Sequence, residues 1–373
     1  MKVSEILNRD KNNLDLVRII VATMVIWSHA FALTFGNGAN EPLFKFLKVT
    51  YAGALGVDIF FFMSGLLVTN SILSKKSVSK FIISRFFRIF PALLLLILIT
   101  VFIIGPIVST LPISEYFRQS STWNYFFQNL YLKTNYLLPG CFETNIWPAD
   151  VNGSLWTLTY EVACYIFLVS VFVLSKGRSR IINVTIIVVV FLAFLPNNYL
   201  LSIFNRSFIV ATIPMACFAI GAFFALNKEK ITLNINLLLG LLLLSLVFWR
   251  FETIISIVFP ITISVFFLLF STNKTVLKLM PKYDISYGLY IWHFVVQQIV
   301  FLYFGSMNVY LFFLITFILT AAISLLSYVF VEHRSINYGY ILGKKLSETK
   351  FDFEKLYIYF ALILFVIILA KLS

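Results

Sequence analysis

The chain has 373 residues, of which 60% are hydrophobic and only 12% are charged, whereas soluble domains usually carry about 25% charged residues. A mean hydropathy of +0.94 excludes an ordinary soluble enzyme. Lys and Arg outnumber Asp and Glu by 29 to 16, so the net charge is +13. In a soluble protein this excess would suggest a nucleic-acid partner, but here the basic residues first have to be placed relative to a membrane.

The apolar stretches are continuous and lack the polar and apolar alternation of outer-membrane strands, so they predict an all-α, polytopic helix bundle. Because each crossing takes about 20 residues, the sequence holds about ten or eleven transmembrane helices. In chain order they are predicted at 16–35, 51–73, 86–108, 154–175, 181–196, 207–226, 235–249, 253–271, 284–305, 309–332 and 356–372. Only Arg250 and Glu252 divide the seventh helix from the eighth.

The first predicted helix also has features of a secretory signal. Ala30-Phe31-Ala32 resembles a cleavage site of small residues. However, a long polar segment precedes the apolar run, which continues through Phe35 without a clear cleavage region. This pattern favours a first helix that is retained in the membrane.

The basic residues predict the orientation of the bundle. With the N-terminus in the cytoplasm, 22 of the 29 Lys and Arg residues lie on the cytoplasmic side, which agrees with the positive-inside rule. The one long loop, 109–150, then lies outside. Its aromatic residues, among them Trp123, Tyr125 and Trp147, are typical of an interfacial belt and would also suit a platform on which a sugar ring stacks.

Ionisable residues inside apolar helices are costly and usually functional. His29 follows Arg18 by eleven residues, which places it about 16 Å further out along the first helix. Asp58 and Glu161 lie at a similar predicted depth, on the second and fourth helices. A carboxylate there could orient a histidine that acts as a general base. The alternative is a polar cluster that only ties helices together; for Asp58 the two interpretations are equal.

The other two histidines are weaker candidates. His293 is predicted about 13 Å from the inner end of its helix, near the middle of the membrane, and His333 lies in a polar segment where it is interpreted as structural. The ionisable residues within the apolar runs do not form pairs with metal-ligand spacing. We therefore expect no metal.

On the inner side, Arg18, Arg85 and Arg88 lie at one predicted depth, and the latter two share a helix face because they are three residues apart. Guanidinium groups clustered in this way can bind a polyanion. For each arginine taken alone, the positive-inside rule is the favoured explanation.

Six short patterns occur in order over about residues 12–335. They lie at 14–18 with 27–29, at 56–67, at Phe81 with 85–91, at 152–161, at 286–293 and at 330–332. Together these segments resemble the membrane proteins of acyltransferase family 3. Each pattern is modest, but six in the right order at matching helix ends make the resemblance strong.

The resemblance implies an O-acyltransferase, usually an acetyltransferase, that takes acetyl from cytoplasmic acetyl-CoA and delivers it to a sugar hydroxyl outside. By position, His29 would be catalytic, with Glu161 or, less favoured, Asp58 orienting it. The contacts of the CoA donor would be Arg18, Arg85, Arg88 and Ser64. The distance of about 16 Å between Arg18 and His29 matches the reach of a pantetheine arm, so the whole donor would not need to cross the membrane.

The chain is predicted to divide into an acyltransferase domain, 1–335, and a segment, 336–373, that consists of a cytoplasmic linker and an extra transmembrane helix at 356–372. In relatives that carry an external domain, such a helix would lead to it. The end of this chain at Ser373 therefore predicts that the acyl group passes directly to the glycan or to a separate partner protein.

The predicted function is that of a bacterial inner-membrane O-acetyltransferase acting on a surface polysaccharide: lipopolysaccharide O-antigen, capsule or exopolysaccharide. The expected partners are acetyl-CoA, a lipid-linked or polymeric glycan and membrane lipids, but no nucleic acid; a homodimer is compatible with the sequence. A transporter or flippase for a lipid-linked glycan is the main alternative, and it should show charge at several depths and repeated halves. A polysaccharide polymerase with a long outer loop is a third.

Overall fold

The computed structural model describes residues 1–75, 77–193 and 207–348. In these ranges the chain is helical, and its β contacts are isolated bridges such as that between Lys2 and Thr232. The helices of eleven residues or more are α1 (Leu14–Phe35), α2 (Ala52–Lys75), α3 (Val78–Ile99), α4 (Ser120–Leu130), α5 (Trp156–Leu174), α6 (Ser179–Ala193), α7 (Ser207–Leu226), α8 (Ile235–Val247), α9 (Glu252–Ser271), α10 (Ser286–Phe304), α11 (Val309–Ser327) and α12 (His333–Glu348). The predicted all-α bundle is confirmed.

Seven helical stretches of the described chain are long and apolar enough to cross a membrane. They are α1, α2, α3 with its continuation to Val108, α5, α9, α10, and α11 continued into α12. The apolar stretches of α6, α7 and α8 are shorter. The ten helices predicted up to residue 332 thus all have counterparts, including the two separated by Arg250 and Glu252. The predicted helix at 356–372 lies outside the described residues.

Helix α3 begins eight residues earlier than predicted, at Val78 instead of 86. Ser77 caps it, because its side chain accepts a hydrogen bond from the Lys80 backbone N–H. A capping serine before a helix satisfies one of the free N–H groups of the first turn. Arg85 and Arg88 therefore lie about two and three turns inside the helix, instead of at its start, and can point between neighbouring helices.

Helices α2 and α7 cross with their backbones in contact. A Cβ atom added to Gly65 would lie 2.0 Å from the Phe218 carbonyl oxygen, and one added to Gly221 would lie 2.0 Å from the Phe62 carbonyl oxygen. Only glycine permits so close an approach, which is a common way for helices to pack in membranes. The crossing fixes the rotation of α2 and hence the direction in which Asp58 and Ser64 point.

The segment that follows α11 belongs to the predicted cytoplasmic linker. Residues 336–348 are helical and continue α12, which packs on α3. The Tyr338 and Phe87 rings meet edge to face at 5.4 Å, and a Cβ atom on Gly339 would lie 2.8 Å from the Phe87 Cβ. The small glycine surface allows the two helices to pack closely, which local composition did not reveal. Between α11 and α12 the chain widens into one π-helical turn, Tyr328–Glu332.

The predicted outer loop contains two helices, Ile113–Arg118 and α4, followed by an irregular segment that reaches α5. Hydrogen bonds attach this segment to α10, since Asn145 Nδ2 donates to Gln298 Oε1 at 2.7 Å. Its aromatic residues differ in environment, because Tyr125 is buried and Trp123 is half exposed. The loop is thus an ordered cover over the helix ends.

Candidate functional site

The predicted site residues line two adjacent cavities in the described part of the bundle. The first, here called the arginine cavity, has a volume of about 130 Å³, and its polar lining residues are Arg18, Ser64, Arg85, Arg88, Thr157, Glu161, Tyr165, Ser286, Tyr287 and Tyr290. The second, the histidine cavity, has a volume of about 240 Å³ and includes His29, Thr50, Tyr51, Asp58, Trp156, Ser256 and Tyr290 in its lining. Val57 and Tyr290 line both cavities. These two side chains therefore stand where one cavity meets the other.

One carboxylate organises two of the three predicted arginines. Asp284 Oδ2 accepts hydrogen bonds from Arg18 Nη1 at 3.1 Å and from Arg88 Nη2 at 2.8 Å. Its Oδ1 accepts from the Ser286 hydroxyl at 2.5 Å, at the start of α10. Burial alone would raise the pKa of Asp284, but the guanidinium charges and the Ser286 hydrogen bonds together hold it well below its usual range. Asp284 thus stays ionised and holds the two guanidinium groups in place.

Sequence reasoning did not assign a role to Asp284. The sequence does contain a positional clue to this ion pair. Asp284 lies two residues before Ser286, where α10 begins, and so at the predicted depth of the arginines. Charge of this sign beside an arginine cluster indicates an ion pair. The partner could not be named from sequence, because Arg18 is 266 residues away.

Arg85 differs from the other two arginines. Among the described residues it makes no ion pair, and its buried Nε atom has no hydrogen-bond partner. An unpaired buried donor costs free energy of about 1–3 kcal/mol, so such an atom is unusual unless a ligand completes it. Arg85 thus retains hydrogen-bonding capacity toward the arginine cavity.

Glu161 lies in the arginine cavity and not beside His29. Its carboxylate accepts a hydrogen bond from the Ser64 hydroxyl at 3.3 Å and another from the Tyr165 hydroxyl. The Ser64 and Tyr165 oxygens are themselves 3.0 Å apart. The three side chains form one hydrogen-bonded group, and the predicted contact between Glu161 and His29 is absent among these bonds. Ser64, in contrast, does lie with the three predicted donor-binding arginines.

His29 is instead paired with His293. The His29 Nδ1 atom lies 3.0 Å from the His293 Nε2 atom, and the ring centroids are 5.0 Å apart. His29 is half-buried and faces the histidine cavity, while His293 is fully buried. The residue that the sequence made a weaker candidate is therefore the direct neighbour of the main one.

Asp58 shares the histidine cavity with His29. Asp58 is 7% exposed, and its carboxylate makes no hydrogen bond to another residue in the described part of the chain. Burial, followed by the charge of Asp58, raises the pKa of the Tyr51 hydroxyl at the rim of this cavity. Of the two predicted carboxylates, only Asp58 is therefore in the compartment of the imidazole.

The two cavities offer different chemistry. The arginine cavity presents guanidinium groups that can hold an anion, and the histidine cavity presents an imidazole that can take or give a proton. Among the described residues, no group of three or more His, Cys, Asp or Glu side chains could hold a metal ion.

One family model and two curated relatives match the chain. The model of the acyltransferase domain of family 3 matches residues 11–331. An O-acetyl transferase of Shigella phage Sf6 is 29% identical over 306 residues, which cover 78% of this chain and 85% of the phage protein. Nodulation protein 10 of Rhizobium leguminosarum bv. viciae is 33% identical over 170 residues, or 42% of this chain and 43% of that relative. No solved structure matches the chain.

Proposed function

The chain belongs to acyltransferase family 3, and on this premise we propose that it is a membrane O-acetyltransferase that moves acetyl from acetyl-CoA to a hydroxyl of a surface polysaccharide. The acceptor is lipopolysaccharide O-antigen, or else capsule or exopolysaccharide. The enzyme lies in the bacterial inner membrane with its N-terminus in the cytoplasm. The observation that carries this proposal is the adjacency of the two cavities at Val57 and Tyr290.

The arginine cavity fits the anionic donor. Arg85 has a buried Nε without a partner, and Arg18 and Arg88 are already held in place by Asp284. Phosphate groups are well matched to such donors, because guanidinium N–H groups bind phosphate oxygens in pairs. A volume of about 130 Å³ suits a narrow chain better than a nucleotide. The nucleotide would therefore stay at the cytoplasmic mouth, while the thioester arm enters.

His29 carries the transfer. As a general base, it takes the proton of the acceptor hydroxyl while the hydroxyl oxygen bonds to the acetyl carbon; the carbon–sulfur bond breaks, and His29 returns the proton to the leaving thiolate. Alternatively, His29 attacks the acetyl carbon, the carbon–sulfur bond breaks, and the CoA thiolate leaves. The acceptor hydroxyl oxygen then bonds to the acetyl carbon, the bond from that carbon to the imidazole breaks, and the hydroxyl proton passes through His29 to the thiolate. Asp58, in the same cavity, stabilises the positive charge on the ring in either route. We assign Glu161 to the donor compartment.

The proposal is tested with the protein purified in nanodiscs. We expect the wild type to bind radiolabelled acetyl-CoA, and His29→Ala to bind it equally well but to abolish acetylation of the host polysaccharide. His333→Ala is the matched control, since His333 is an exposed histidine outside both cavities. Failure of the wild type to bind acetyl-CoA, or an unchanged acetyl content with His29→Ala, overturns the proposal.

A further inference from the structure

His293 can influence the reaction only through His29. His293 is fully buried and does not line either cavity, so a ligand in these spaces cannot touch it. Its Nε2 atom lies 3.0 Å from His29 Nδ1. A role of His293 in the reaction must therefore be exerted on the orientation and the tautomer of His29.

The partner of the other His293 nitrogen decides which tautomer is present. His293 Nδ1 lies 3.1 Å from the Leu289 carbonyl oxygen, one turn earlier on α10. A carbonyl oxygen only accepts hydrogen bonds, so the Nδ1 atom must carry the hydrogen. In the neutral ring the Nε2 atom of His293 then bears a lone pair.

The lone pair on His293 fixes the hydrogen of His29. Two lone pairs cannot face each other at 3.0 Å, so His29 Nδ1 carries a hydrogen and donates it to His293 Nε2. The lone pair of His29 is then on its Nε2 atom. We propose that His293 is a positioning residue that keeps His29 in this tautomer, with Nε2 as the reactive atom. The inference rests on the proposed function and deepens it.

Both routes of acetyl transfer require this arrangement. As a base, Nε2 takes the acceptor proton, and as a nucleophile it bonds to the acetyl carbon; in each case the positive charge on the ring is shared through the Nδ1 hydrogen. In a serine protease, loss of the carboxylate that sets the histidine tautomer lowers kcat about 10⁴-fold. A neutral imidazole is a weaker acceptor than a carboxylate, so we expect a loss of about 100-fold here.

The Ser154 hydroxyl provides the competing explanation. Its oxygen lies 3.2 Å from the same Nε2 atom of His293, and Asn152 attaches this segment to α10 by donating to the Ile291 carbonyl oxygen at 2.8 Å. His293 could therefore serve merely to hold residues 152–154 in place. The test has to separate positioning of His29 from anchoring of this segment.

Two variants of His293 differ in whether they offer His29 Nδ1 a hydrogen-bond acceptor. His293→Gln offers an amide oxygen that can accept the Nδ1 hydrogen, and His293→Leu removes the acceptor while filling similar space. The assay is transfer of radiolabelled acetyl from acetyl-CoA to the polysaccharide of host membranes. We expect kcat to fall about 100-fold with leucine and less than about tenfold with glutamine. KM for acetyl-CoA should stay unchanged in both, because His293 is outside the arginine cavity.

Ser154→Ala is the matched control for anchoring and should keep kcat within about threefold of wild type, because it removes the competing contact but not the acceptor. Binding of acetyl-CoA to each preparation reports whether the bundle is folded. Equal losses with glutamine and leucine, a fully active leucine variant, or an equal loss with Ser154→Ala overturns the inference alone. Absence of transfer by the wild type overturns the proposed function and the inference with it.

Discussion

The arginine cavity and the histidine cavity hold their polar groups in different ways. In the arginine cavity, Asp284 pairs with Arg18 and Arg88, and Arg85 is left with an unpartnered buried donor. In the histidine cavity, the imidazole of His29 is held by a neutral hydrogen bond. The first arrangement provides fixed positive charge for an anion, and the second leaves one nitrogen free for proton transfer.

The two cavities nevertheless share their walls. Helix α2 carries Asp58 into one cavity and Ser64 into the other, about 9 Å apart along the helix. Helix α10 likewise begins with Ser286 at the arginine cavity and reaches His293 two turns later. Changes in helix packing should therefore disturb both compartments, whereas changes of single side chains should disturb only one.

The largest effect is expected at the crossing of α2 and α7. Gly65→Ala would place a Cβ atom against the Phe218 carbonyl, and overpacking of this kind costs about 3 kcal/mol. The thermal unfolding midpoint in detergent should fall, and acetyl-CoA binding and transfer should decline together. Gly240→Ala is the matched control, since no described atom outside its own helix backbone and its two chain neighbours lies within 4 Å of its added Cβ. Equal stability of the two variants would refute the importance of the crossing.

The second largest effect, a loss of folding stability, is expected when Asp284 loses its charge. Asp284→Asn removes the charge that Arg18 and Arg88 share, which should lower the free energy of unfolding by about 2 kcal/mol. Because the folded-state pKa of Asp284 is lowered, this stabilisation is fully present above the unfolded-state pKa of about 3.9 and is lost as pH falls through the lowered value. The difference in unfolding midpoint between wild type and variant should thus be constant from pH 8 to 5. A difference that disappears near pH 6 would contradict this assignment.

A smaller effect separates donor binding from chemistry. Arg85→Ala should weaken acetyl-CoA binding about tenfold, the value of one charge-assisted hydrogen bond, and leave kcat at saturating donor close to wild type. Isothermal titration calorimetry gives the affinity. Arg178→Ala is the control, because Arg178 is exposed and lies outside both cavities. Equal affinities of the two variants would mean that Arg85 does not bind the donor and that its position reflects only the orientation of the protein in the membrane.

The smallest effects compare the two carboxylates by isosteric change. Asp58→Asn should lower kcat about fivefold, since an amide cannot take up or release a proton in the cavity of His29 as a carboxyl group can, an effect of about 1 kcal/mol, and it should leave acetyl-CoA affinity unchanged. Glu161→Gln should alter acetyl-CoA affinity by a few-fold and leave kcat unchanged. Steady-state rates at varied acetyl-CoA separate the two parameters. A larger fall in kcat with Glu161→Gln would restore the predicted pairing of Glu161 with His29.

Local sequence was sufficient for most of the fold. The ten helices predicted up to residue 332 have counterparts because hydropathy over one span depends only on neighbouring residues. The early start of α3 and the helical continuation over 336–348 were missed, since a serine cap and a glycine face are weaker signals than an apolar run. Both features gain their stability from packing against other helices.

The candidate site was predicted only in part, for a geometric reason. The sequence by itself determined that Arg18, Arg85 and Arg88 occur at one depth and that His29 lies further along α1, because rise per residue is constant in a helix. Depth does not specify the direction in which a side chain points around its helix. The rotation and crossing of the helices therefore placed Glu161 beside Ser64 and Tyr165 instead of His29. They also joined His29 to His293 across 264 residues, a contact that only the tertiary structure could decide.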